Sequence, residues 1–209
     1  MRIGLIVDGE SELAAMPKLF PILNATLEHH VVGIVQRAIQ PKAPTSTIVL
    51  ACNGGVRALK RTRPDRAIVL LDREDLAECP GSFAERIREG VARVARAGDP
   101  DVRVVVKDRT FENWLIADVM AVKGSPGRFN LTNAMERQIA RASADHVDAD
   151  QIIRSACIGG SYQKTKDSAR IMRHASIDRI AANSRSFRRF LRVLDHPDYR
   201  DQSRNPTQR

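Results

Sequence analysis

The stretch Arg66-Ala67-Ile68-Val69-Leu70-Leu71-Asp72-Arg73-Glu74-Asp75 constrains this chain more than any other, because an unbroken apolar run ends abruptly in acids. Five consecutive apolar residues, mostly β-branched or Leu, predict a strand buried on both faces, as in the middle of a parallel sheet. Ligand sites in open α/β sheets lie just beyond the carboxyl ends of the strands, so Asp72, Glu74 and Asp75 stand where such a sheet does its chemistry. At a strand end the one-residue gap between Asp72 and Glu74 aims both carboxylates to one side, close enough to share a hard cation such as Mg²⁺. The same acids also suit the start of a solvated loop, and Asp75 can equally cap the next helix.

The rest of the chain fits an α/β fold. At 209 residues it has room for one main domain with a sizeable core and a small extension. Apolar residues at 43% and charged residues at 28% exclude extensive disorder and a membrane protein. The apolar run Ile3–Val7 is too short for a signal-peptide core or a spanning helix, so a cytoplasmic protein with no membrane partner is expected. Cys52, Cys79 and Cys157 are scattered and lack a neighbour at metal spacing, which indicates neither disulfides nor zinc.

Arg2–Val7 reads as a first buried strand, followed by Asp8-Gly9-Glu10-Ser11-Glu12. Ser11 can cap a helix whose apolar positions are Leu13, Met16, Leu19, Phe20 and Leu23, with Pro17 and Pro21 set to kink or break it. Asp8 and Glu12 are four apart, so a turn winding directly into the helix lets both face the ligand edge. Glu10 and Glu12 also complement a helix N-terminus whatever their other role. Two β-like runs follow, Val31–Val35 and Thr47–Leu50, either of which can pair in the sheet. Asn53-Gly54-Gly55 lacks the remainder of a phosphate loop and reads as a turn opening a short helix.

Phe83, Ile87, Val91 and Val94 form the apolar stripe of another helix, and Val102–Lys107 a third clear strand. Thr110 looks like the cap of a helix carrying Glu112 in its first turn and Trp114 two residues on. Lys123-Gly124-Ser125-Pro126-Gly127 is the candidate boundary. It divides an α/β core over 1–122 from a basic helical extension over 123–209 that packs on the core, with a mobile tail from about residue 195. Residues 151–209 hold 13 Lys and Arg against 5 Asp and Glu, which accounts for +8 of the chain's +9. Such segregation suits a polyanionic partner, and equally a basic solvated helix face. In Arg185-Ser186-Phe187-Arg188-Arg189-Phe190 the Phe residues have core spacing and the Arg residues fall on the surface.

Val7-Asp8-Gly9-Glu10-Ser11-Glu12, Leu71-Asp72-Arg73-Glu74-Asp75, the stretch from Phe111 to Asp118 and Tyr162-Gln163-Lys164, in this order, resemble the TOPRIM-like proteins of the DUF4276 class, similar to the nuclease domains of OLD-family proteins. The resemblance implies a TOPRIM-like Rossmannoid sheet, mainly parallel and flanked by helices, with a C-terminal helical extension. It implies Mg²⁺, or Mn²⁺, held by Asp8, Glu12, Asp72 and Glu74 with Asp75 and Glu112 as further members, and phosphodiester cleavage assisted by Lys164. Lys164, Lys166, Arg185, Arg188 and Arg189 are the expected contacts to DNA or RNA. A partner ATPase and a role in phage defence are implied as well. Asp8 stands where the family pattern has Glu, and Glu74 where it has Asp.

Two rivals remain at this point. One is a TOPRIM-like module that binds nucleic acid or an ATPase without turnover, which the altered acids favour. The other is a phosphotransfer domain with Asp72 as nucleophile, which leaves Asp8, Glu12 and Glu112 without a common role. None of the five His residues falls in the acidic motifs, so a His base is not favoured.

Overall fold

The run that dominates the sequence becomes β3 (Arg66–Asp72), an inner strand of a four-stranded sheet. Its neighbours are β1 (Arg2–Val7) and β4 (Asp101–Lys107), and β2 (His30–Gln36) lies outside β1, giving the order β2-β1-β3-β4. All pairings are parallel. The computed structural model describes residues 1–200.

Successive side chains alternate between two apolar layers, as a pleated strand requires. Ile6, Ala67, Val69, Leu71, Val104 and Val106 face α3 (Thr45–Leu59) and α4 (Pro80–Val94). Gly55 of α3 lies against Ile6, where a Cβ would approach the Ile6 side chain to 2.7 Å, so the helix sits close to the sheet because residue 55 has no side chain. The opposite layer of Ile3, Leu5, Val7, Ile68, Leu70 and Val105 is continuous with the apolar residues of the C-terminal helices.

Of the two β-like runs before residue 51, Val31–Val35 pairs in β2 and Thr47–Leu50 is helical. The longer pattern decides this: Ile48, Val49, Cys52, Val56 and Leu59 recur at helical spacing and are all buried, which overrides the β preference of four residues. Gly54 and Gly55 therefore lie inside α3 and do not open a helix. The helix expected through Leu23 is divided by its prolines into α1 (Glu10–Ala15), a 3₁₀ turn over Met16–Lys18, and α2 (Phe20–Thr26). Pro17 and Pro21 each occupy a first-turn position, where a missing N–H costs no hydrogen bond.

After β4 the chain is helical: α5 (Phe111–Ala117), α6 (Val119–Lys123), α7 (Asn133–Ala142), α8 (Ala149–Ala156), α9 (Lys164–Met172), α10 (Ile177–Asn183) and α11 (Arg185–Val193). Trp114 anchors them. It is fully buried with Phe187 and Phe190 at centroid distances of 5.0 and 5.4 Å, and its indole N–H donates to Ser186 Oγ over 2.8 Å. No break in the apolar core marks the boundary placed at residue 123, since Trp114 before it and Phe187 after it share one cluster. The tail expected to be mobile from about 195 remains packed through Tyr199, because His196 and Tyr199 are buried against each other. Its remainder, residues 201–209, lies outside the described residues. No helix among the described residues is long and apolar enough to cross a membrane.

Candidate metal centre

The chain leaves β1 for β2 on one side and later returns to β3 on the other, so the strand order reverses between β1 and β3. Connections diverge there and open a crevice at the carboxyl edge, the usual ligand position in such sheets. Asp8 follows β1, Asp72 ends β3, and Glu12 lies in the first turn of α1. One oxygen from each carboxylate lies within 4.8 Å of the others, a group that can hold a metal ion.

Asp8 is fixed by the backbone of the next strand, its Oδ2 accepting the Asp72 N–H at 2.9 Å. Gly9 leaves room for Glu12 by having no side chain, since a Cβ on residue 9 would collide with Glu12 Oε2. At the centre is Lys107, the last residue of β4, fully buried in register with Asp72. Its Nζ lies 2.9 Å from Asp8 Oδ1 and 3.0 Å from Asp72 Oδ1, and donates a further hydrogen bond to Glu12 Oε1. The Phe111 ring closes one side, 5.7 Å from the ammonium. Asp72 is the open side, its side chain 20% exposed against 3% for Glu12.

Burial and charge pull these groups apart in acidity. Burial opposes ionisation of Asp8, but the Lys107 charge and hydrogen bonds from Glu12, the Asp72 amide and Lys107 outweigh it and hold its carboxyl below the ordinary value. For Glu12, burial wins with help from the Asp8 charge, and its carboxyl is pushed up to about 7. Asp72 is raised well above its ordinary value, first by burial and then by repulsion from Asp8 and Glu12. Burial alone would discharge Lys107, yet Asp72, Asp8 and Glu12 together hold its ammonium well above the usual range. Glu12 and Asp72 thus give up their protons less readily than ordinary carboxyls, and Asp8 more readily, so a divalent cation held by all three would have to displace protons from Glu12 and Asp72.

Residues 7–195 match the family model DUF4276, a domain of unknown function. The chain belongs to the DUF4276 family. No curated protein and no solved structure matches it.

The other residues singled out in this DUF4276 chain fall into three places. Glu74 and Asp75 do not join the triad. Strand geometry ends at Asp72, and Glu74 has a left-handed backbone (φ 55°) with its N–H bonded to the Arg109 carbonyl, so the two-residue alternation that aimed it beside Asp72 no longer applies. Asp75 is exposed and paired with Lys42 at 2.6 Å.

A second ionic group lies on the helices. Glu112 is buried in the first turn of α5, with Lys164 Nζ 3.3 Å from its Oε1 and 3.3 Å from Asp150 Oδ1. Burial works against the Lys164 ammonium, but the Glu112 and Asp150 charges outweigh it and hold its pKa above the ordinary value. Because α9 packs on α1, this pair stands on the flank of the helix that carries Glu12. Tyr162 is buried, its hydroxyl 2.9 Å from Ser168 Oγ, while Lys166 is exposed. On α11, Arg185 and Arg189 are exposed, but Arg188 is half-buried and donates to the Ala181 carbonyl.

Lys107 is the central residue that sequence reasoning missed. Its signal was its position, a cation closing an apolar strand beside Asp108, in the place where β1 and β3 are followed by or end in acids.

Proposed function

We propose that this DUF4276 protein is a divalent-metal-dependent nuclease of TOPRIM type, cleaving nucleic-acid phosphodiesters with Mg²⁺ or Mn²⁺ at Asp8, Glu12 and Asp72. The observation that carries the reading is the convergence of three carboxylates from two strand ends and one helix at the point where the strand order reverses. The donors suit such an ion: they are hard carboxylate oxygens, and Asp72 stands on the open side of the cluster. A bound Mg²⁺ supplies charge neutralisation at the scissile phosphate and an activated water.

The chain's own groups do the rest. Asp8, Glu12 and Asp72 would hold the ion as carboxylates, Glu12 and Asp72 having the raised pKa values that such an ion would overcome. Lys107, fully buried against the three carboxylates, offsets their charge and holds them together at the crevice. Lys164, oriented by Glu112 and Asp150, supplies a second cation on the α1 flank. By the same family resemblance, the protein works beside a partner ATPase in phage defence.

Cleavage of labelled DNA and RNA with Mg²⁺ or Mn²⁺ tests this. Asp72→Ala is expected to lower the rate by at least ~10²-fold, the scale set by losing a group that acts on the transition-state charge. Equal rates in wild type and variant would contradict the assignment.

One observation favours a second reading, a module that binds nucleic acid or an ATPase without turnover. The Lys107 ammonium contacts all three carboxylates and can stand permanently in place of a metal. In that case no divalent cation alters the protein's stability.

A further inference from the structure

Helix α11 carries two stripes. Phe187, Phe190, Leu191 and Leu194 are buried, whereas Arg185, Arg189 and Arg192, spaced by four and three residues, share the opposite side. These three arginines line a cavity of about 360 Å³ between α11, the edge strand β4 and the start of α4. None of their side chains makes an ion pair or hydrogen bond with a described residue. Glu85, the acid nearest Arg189, is already held by Arg88 at 2.5 and 2.8 Å. Asp108, the one acid of the lining, is held by Arg73 at 2.7 Å. The opposite wall is formed by Pro80, Gly81 and Ala84 at the start of α4 and by the open edge of β4 over Val104–Val106.

We propose that this cavity is a binding site for a phosphate-bearing ligand with an attached ring, the chemistry shared by a free nucleotide and by one nucleotide unit of a strand. Guanidinium groups without an internal partner are suited to phosphate oxygens, and Pro80 and Ala84 beside the open edge of β4 leave room for a base or sugar. A cavity of this volume lies within the range of small-ligand sites. Burial lowers the pKa of Arg189, and the like charge of Arg192 lowers it further, a crowding that an anion relieves. Cys79 stands at the rim as an exposed thiol; the amides of Ser82 and then Gly81 favour its thiolate, and the charge of Arg185 adds to this. The site needs no metal and does not depend on the acid cluster.

The test uses the full chain in EDTA, so its failure leaves the nuclease reading untouched. Inorganic phosphate, adenosine 5′-monophosphate and a single-stranded decanucleotide compete for a fluorescein-labelled oligonucleotide, followed by anisotropy. The variant R185Q/R189Q/R192Q is expected to bind the label at least tenfold more weakly, and R137Q/R141Q on α7 like wild type. Displacement by the mononucleotide at concentrations where phosphate fails assigns the site to a free nucleotide, and displacement by the decanucleotide alone assigns it to a strand. Saturating ligand should also slow iodoacetamide labelling of Cys79, mapped by mass spectrometry. Absence of binding by wild type, equal weakening in both variants, or unchanged Cys79 labelling would overturn the proposal.

Discussion

Lys107, Glu12 and Gly9 show how single residues set the chemistry of the crevice. The close approach at Gly9 places the Glu12 carboxylate, so Gly9→Ala should move that carboxylate more than it disturbs the fold. The expected result is a metal affinity at least tenfold weaker, with a stability loss of about 1–3 kcal/mol, the usual range for overpacking. Equal metal affinity by calorimetry would show that Glu12 is free to relax. Glu12 also gives the cluster a pH signature. Its carboxyl is raised from 4.5 to about 7, so between those values the folded protein holds a proton that the unfolded chain lacks. That contribution is fully present below the ordinary value and is lost as pH rises through about 7. Asp72 is shifted in the same direction; Asp8, lowered, acts on the acid side of this window, and Lys107, raised, on the alkaline side. The melting temperature should therefore fall from about pH 5 to pH 8 more steeply in wild type than in Glu12→Gln. Metal affinity should rise over the same interval, because the ion must displace protons. Parallel melting curves for the two proteins would contradict the assigned protonation of Glu12.

Elements carry these residues to one place, and at this scale much was legible in the sequence. The five-residue apolar run of β3 could pack only as an inner strand, and the acids after β1 and β3 then had to reach the same edge. What the residues did not reveal was the end of strand geometry at Asp72, since a left-handed turn at Glu74 has no glycine to mark it. Nor did they reveal Lys107 as a buried partner, because its neighbours come from positions 8, 12 and 72 and only the sheet register brings them together. The helical layer was legible as amphipathic stripes, but its attachment through Trp114 is long-range. Trp114→Ala removes the ring that joins α5 to α11 and should cost about 3–5 kcal/mol in urea unfolding. An exposed control, Arg141→Ala, should change stability by less than about 0.5 kcal/mol. A small effect at Trp114 would mean that α11 docks without it.

The whole molecule separates its charge. A buried acid cluster occupies the carboxyl edge of the sheet, and unpaired arginines line the cavity on α11 beyond the edge strand. A phosphodiester chain needs both, a site where a cation acts on one phosphate and a surface that holds its neighbours. Everything in the nuclease reading rests on whether the acid cluster takes up a divalent cation in exchange for its protons.

The direct measurement is the melting temperature of wild type, Asp72→Ala and Lys107→Met, with and without Mg²⁺ or Mn²⁺, at pH 7.5. Ligand binding to the folded state alone stabilises by mass action. Metal-free Lys107→Met should lose about 3–5 kcal/mol, because removing one partner leaves buried charge uncompensated. Metal should raise the melting temperature of wild type, raise that of Lys107→Met further because the ammonium no longer competes, and leave Asp72→Ala unchanged. No response to either ion in wild type and in Lys107→Met, or an undiminished response in Asp72→Ala, would contradict a metal centre at Asp8, Glu12 and Asp72.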